Sequence, residues 1–147
     1  MMVRDRTALP ACQVKLRGQV MISPMLDSRQ TTKSMGAADC PCRQGWVDYL
    51  PKFSDALHPY ASPANSLRLG GLAPALIITG ELEPLRDEAE DYATKLIAAG
   101  IPVQVRRLKG AKGDLVKASH PDFALVTQTV QQFILDATSQ GEYYGSR

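Results

Sequence analysis

Residues Ala75-Leu76-Ile77-Ile78-Thr79 form an apolar run that stops at Gly80. A short continuous run bounded by a turn residue predicts a strand buried on both faces, as in the middle of a parallel sheet. A helical pattern follows at once, with Leu85, Ala89, Tyr92, Ala93, Leu96 and Ile97 on one stripe. Pro84 suits the first helical turn. Asp87 and Glu88 complement the positive end of the helix dipole. Gly100 suits the left-handed stop after the last turn. Ile101 to Leu108 reads as a second strand, with Val103 and Val105 on one side and Gln104 and Arg106 on the other. A last helix is predicted from near Pro121, with Phe123, Val126, Val130, Phe133, Ile134 and Ala137 on one stripe. The β-α-β-α order of residues 73–139, with short connections, predicts an α/β fold with a parallel sheet and right-handed crossovers.

The rest of the chain is less regular. Val20-Met21-Ile22, stopped by Pro24, reads as one more buried strand. Residues 3–12 are polar and short. Residues 28–66 carry Ser, Thr, Asp, Pro and Gly without a sustained period and are expected to form a lid-like or connecting segment. One short helix is predicted inside it, where Trp46, Tyr49 and Leu50 share a face and Pro51 argues for the end.

Composition excludes several classes. The 17 basic and 15 acidic residues give a net charge of +2, no basis for binding nucleic acid or an acidic membrane surface. No apolar run approaches the roughly 20 residues of a membrane span. The start, Met1 to Arg6, shows no secretory h-region. Three cysteines, Cys12, Cys40 and Cys42, then suggest reduced thiols and a cytoplasmic location. Neither His58 nor His120 has ligand spacing to Cys40 and Cys42, so no metal is expected. Arg106, Arg107, Lys109 and Lys112 read as a solvated strand end.

Several segments, taken in order, resemble the α/β-hydrolases related to hormone-sensitive lipase. Gly80-Glu81-Leu82-Glu83-Pro84-Leu85-Arg86-Asp87-Glu88 looks like the turn that carries their acidic triad member. Gln19 to Asp27 looks like an earlier strand of that fold, and Met2 to Arg6 like the end of the helix after the nucleophile elbow. His58-Pro59-Tyr60-Ala61-Ser62-Pro63, Pro74 to Leu82, and Leu96 to Val103 are similar to further family segments. The resemblance implies a carboxylic-ester hydrolase working through an acyl-serine without a cofactor.

The chain departs from that pattern where chemistry is concentrated. There is no Gly-x-Ser-x-Gly elbow and no His-Gly-Gly oxyanion loop. Glu83 stands where the family has Asp. Gly113, Asp114 and Leu115 stand where its His-Gly-Phe belongs. Glu83 is therefore the expected relic of the triad acid, and His120, seven residues beyond Gly113, the remaining candidate base. Ser23, Ser34, Ser54, Ser62, Ser66 and Ser119 lack flanking elbow glycines. Neither Cys40 nor Cys42 has a visible activating base.

Residues 1–147 are thus expected to form a single truncated domain: a partial α/β-hydrolase sheet of about three parallel strands, lacking its N-terminal half. The expected function is the C-terminal part of an esterase or lipase-type hydrolase, not catalytic alone. The alternatives are activity through a separate N-terminal half or through His120, and a small-ligand or protein binding module. Self-association is expected through the exposed sheet edge or the last strand and helix.

Overall fold

The computed structural model describes residues 16–36, 41–50 and 52–142. Its core is a three-stranded parallel sheet in the order β1 (Gln19–Ile22), β2 (Ala75–Gly80), β3 (Val103–Leu108). The register pairs Val20 with Leu76 and Ile78 with Arg106. Every residue of β2 is buried, as its uninterrupted apolar run requires. Expectations for residues 3–12, Met2 to Arg6, Cys12 and Cys40 fall outside the described residues.

Helices cover both faces. On one face α3 (Arg86–Ala98) packs Ala89, Tyr92, Ala93 and Leu96 against Ala75 and Ile77. On the other, α4 (Phe123–Glu142) packs Val126 and Phe133 against Leu76 and Ile78. Successive β2 side chains point to opposite faces, so this one strand nucleates both layers. The turn after α3 is closed by Gly100 N–H to Ile97 O and Ile101 N–H to Leu96 O, with Gly100 at φ +79°. That bonding is the left-handed helix stop read from the sequence, and it seats Ile101 beside Leu96 in the core.

Some sequence expectations need correction. α3 begins after Pro84 and Leu85, which lie in the preceding turn. Ile97 and Ile134 are exposed, because each sits at the margin of its stripe, beyond the reach of the narrow sheet. Strand β3 begins at Val103, and both of its sides are largely solvated because it is an edge strand. The described residues between 28 and 66 hold α1 (Lys33–Gly36), α2 (Cys42–Tyr49) and two short 3-10 turns, Phe53–Leu57 and Pro63–Asn65. Helix α2 buries Trp46 and leaves Tyr49 exposed. Cys42 is disulfide-bonded, which corrects the reading of three reduced thiols.

Among the described residues no helix is long and apolar enough to cross a membrane. Among the described residues β1 and β3 each pair with β2 alone, so their outer edges have no strand partner there.

Candidate active site

Glu83 lies in the turn at the C-terminal end of β2 and is 4% exposed. Its carboxylate is held from two directions. Gly80 N–H donates to Oε2 at 3.0 Å, and the Ser23 hydroxyl lies 2.8 Å from Oε1 and 2.7 Å from Oε2. Ser23 follows β1 directly, and its N–H continues the ladder to Ile78 O at 2.9 Å. Its φ of +44° is left-handed, which costs a residue with a Cβ about 1–2 kcal/mol. The bond to a buried carboxylate helps offset that strain, because charge-assisted bonds are roughly twice as strong as neutral ones.

The loop after β3 is stitched to the same turn. Glu81 N–H donates to Leu108 O and Leu82 N–H to Ala111 O, while Gly110 N–H donates to Glu81 Oε2 at 2.7 Å. The backbones approach so closely that a Cβ on Gly80 would meet Ala111 O at 2.5 Å and Glu83 Cγ at 2.9 Å. The position that the family resemblance assigns to the histidine thus lies on a loop bonded to the acid's own turn. It is Gly113, with φ +88°, which brings no side chain.

His120 serves a different purpose. Its Nδ1 accepts from Asp122 N–H at 3.1 Å, so Nε2 carries the proton and donates to Lys112 O at 3.0 Å. The Asp122 carboxylate, 3.8 Å from Nδ1, is too far for a hydrogen bond. Both ring nitrogens are spent closing the 112–122 loop, and no hydrogen bond joins His120 to Glu83. His58 accepts from Tyr60 N–H at 3.2 Å and packs against the Tyr60 ring in an exposed turn.

Two further residues carry roles beyond those read from the sequence. Ser23 reads in the sequence as a hydroxyl without elbow glycines, yet it donates to Glu83. Glu88 reads as a helix-dipole residue, yet it is 2% exposed and bonds the loop after β1. Its Oε1 accepts from Leu26 N–H at 2.7 Å and more weakly from Asp27 N–H at 3.4 Å. Burial pushes this carboxyl up to about 7, against the two backbone donors that favour its charge. The visible signal was spacing: Glu88 lies three residues after Leu85 and four before Tyr92, on the apolar stripe. Asp27 has the opposite balance. Burial raises it, but Arg29, bonded through Nε and Nη2, holds it below its ordinary value. Ser34 and Ser62 are structural: Ser34 Oγ donates to Pro84 O, and Ser62 Oγ donates to Leu26 O.

Chemically, this is a desolvated, oriented carboxylate at the end of a central strand, suited to holding a donor. The donor it holds is a hydroxyl. A carboxylate is a poor base for an alcohol, since the two differ widely in proton affinity.

The alpha/beta hydrolase fold family matches residues 1–114. An arylesterase of Saccharolobus solfataricus is 30% identical over 106 residues, 67% of this chain and 35% of the relative. An esterase of Pyrobaculum calidifontis superposes with a TM-score of 0.69 at 31% identity, over 84% of this chain and 43% of that one. A fungal esterase of Rhizomucor miehei superposes with a TM-score of 0.77 at 26% identity, over 88% of this chain and 43% of that one. The chain therefore spans well under half the length of each of these relatives. With the three parallel strands and the two helical layers, these likenesses identify the chain as a member of the alpha/beta hydrolase fold family, similar to its hormone-sensitive-lipase-like esterases.

Proposed function

We propose that these residues form the acid-bearing part of a carboxylic-ester hydrolase and do not catalyse ester cleavage on their own. One observation carries this reading. The Glu83 carboxylate is bonded to Ser23 and Gly80, and the residue at the family histidine position is Gly113. An acid in a triad works by orienting a base, so Glu83 without an imidazole has no catalytic partner. The 147 residues also hold no Gly-x-Ser-x-Gly elbow. Removing nucleophile or base from a serine hydrolase costs on the order of 10⁶ in turnover. Missing oxyanion donors cost a further factor of about 10²–10³.

The test is hydrolysis of a short p-nitrophenyl ester, with an active-site-directed organophosphonate followed by intact mass. The expected result is no turnover above buffer and no adduct. Turnover with one stoichiometric adduct would overturn the reading.

A second reading, activity through a separately supplied N-terminal half, is favoured by the open edge of β1. That edge offers a row of backbone donors and acceptors to a further strand. A polypeptide carrying the elbow half should restore turnover when refolded together with this chain only if it also brings the base that Gly113 does not supply. Recruitment of His120 is weaker, because both of its ring nitrogens are engaged. A binding module for small ligands or proteins is a third reading, without a distinct observation in its favour. Self-association through the β1 or β3 edge follows from the same open edges, and a compact monomer in dilute sizing would contradict it. The disulfide at Cys42 removes the reduced-thiol basis for a cytoplasmic location.

A further inference from the structure

Glu88 is placed oddly for a charged group. It is 2% exposed, and among the described residues its hydrogen-bond donors, Leu26 N–H and Asp27 N–H, both converge on Oε1. Oε2 is equally buried and has no partner among them. A carboxylate shares its charge between two oxygens and needs donors at both. A carboxylic acid has one carbonyl oxygen, which accepts, and one hydroxyl. With Oε1 as the carbonyl, the neutral acid leaves a hydroxyl without an acceptor at Oε2, which costs less than leaving a charged oxygen unserved there.

The groups facing this carboxyl agree. From the loop after β1, Asp27 faces it with a negative charge that opposes ionisation. Arg29, the cation of that loop, is committed to Asp27 through both carboxylate oxygens. On α1 the one ionisable side chain is Lys33, which is exposed. β2 has no ionisable side chain, and neither has the Pro63–Asn65 turn. On α3, Asp87 is bonded to Ser34 and Arg86, and Lys95 Nζ donates to Ala64 O. No cation is directed at Glu88 from any of these elements.

We propose that the segment from Ser23 to Asp27 is a strap held shut by neutral Glu88, and that loss of the Glu88 proton drives it open and releases Ser23 from Glu83. The linkage is direct. When the strap is closed, the carboxyl is buried with one oxygen unserved. When it opens, water reaches both oxygens and the charge is solvated. The closed state therefore binds the proton more tightly, and rising pH favours the open one. The Glu88 carboxyl, pushed up to about 7 by burial, puts this change near neutrality. Ser23 lies three residues from Leu26, so the strap's anchor and the hydroxyl on Glu83 move as one short segment.

The experiment is amide hydrogen exchange by NMR on the intact chain, with each rate corrected for the intrinsic pH dependence of exchange. Between pH 5 and pH 8, protection at Leu26 and Asp27 should fall on the order of 50-fold in the parent protein. At each pH it should lie below protection at Ile77, which reports global unfolding and carries the same proton linkage. In Glu88→Gln the amide oxygen still accepts, no proton can be lost, and protection should stay flat. Three results would each overturn the strap: flat protection in the parent, an equal fall in Glu88→Gln, or protection at Leu26 and Asp27 no lower than that at Ile77. Should Glu88→Gln fail to fold, the side-chain carboxyl carbon of Glu88 in the parent decides. A titration near neutrality that moves with the Leu26 amide supports the strap, and its absence rules it out.

Discussion

The Ser23 hydroxyl sits within 2.8 Å of both oxygens of the Glu83 carboxylate, joining the end of β1 to the end of β2 across 60 residues of sequence. Glu83 keeps one other donor, Gly80 N–H. Removing the hydroxyl would leave a buried carboxylate short of a partner, which costs about 1–3 kcal/mol. Ser23→Ala is therefore expected to lower stability in urea unfolding by about 2 kcal/mol. Ser23→Gly loses the same bond but relieves the left-handed backbone at φ +44°, so it should be about 1 kcal/mol less damaging than Ser23→Ala. Equal losses would show that the backbone at Ser23 stores no strain.

Gly80→Ala tests the seam between the two loops. The new methyl would lie 2.5 Å from Ala111 O, a backbone atom that cannot rotate aside. Overpacking of this kind costs about 1–3 kcal/mol. The expected outcome is a fall in Tm with loss of the hydrogen bond from Leu82 N–H to Ala111 O, visible as faster exchange of the Leu82 amide.

Stability should pass through a maximum in mildly acidic solution. Glu88 is raised on folding from 4.5 to about 7, so the fold favours its protonated form. Its contribution is complete below 4.5 and is lost as pH rises through about 7, amounting to about 3 kcal/mol. Asp27 and Asp87 act in the opposite sense. Burial raises each, but Arg29 and the Ser34 N–H with Arg86, respectively, hold them below their ordinary value of 3.8. Their contribution is present above that value and disappears as pH falls below it. Chemical denaturation across pH 3 to 9 should show both limbs in the parent, and Glu88→Gln should remove the limb on the alkaline side alone.

His120→Ala should behave as the loss of a loop fastening. Two hydrogen bonds, to Lys112 O and from Asp122 N–H, disappear. At a net worth of about 1 kcal/mol each, the cost should be near 1–2 kcal/mol. Amide shifts should change over residues 112–122, while those of Ser23 and Gly80 stay in place. A large response at Gly80 would reveal contact between His120 and the acid.

What was legible in the sequence follows physical locality. Ala75 to Gly80, the Leu85 to Leu96 stripe and Gly100 each encode their conformation within a few residues, and the strand, helix and stop they predict are present. The likeness of the Gly80 to Glu88 turn to an acid-bearing turn was legible for the same reason. Bonds across 60 residues, such as Ser23 to Glu83 and Leu26 to Glu88, leave no local pattern. Ser23 looked like a hydroxyl with no elbow, because its partner could be known only once β1 lay beside β2. Ile134 and Ile97 were placed in the core by period alone, but period gives a direction and not the width of the sheet that must cover it. α1 escaped notice because its four residues carry no period, and its place is fixed by Ser34 and Asp87 bonding to each other.

Gly18, just before the first strand, abuts the ring of Phe133, so closely that a Cβ there would lie 2.8 Å from the ring. The last described helix is thereby fastened at Phe133 to the residue before β1, so melting monitored at the ring and at β1 should give one shared midpoint.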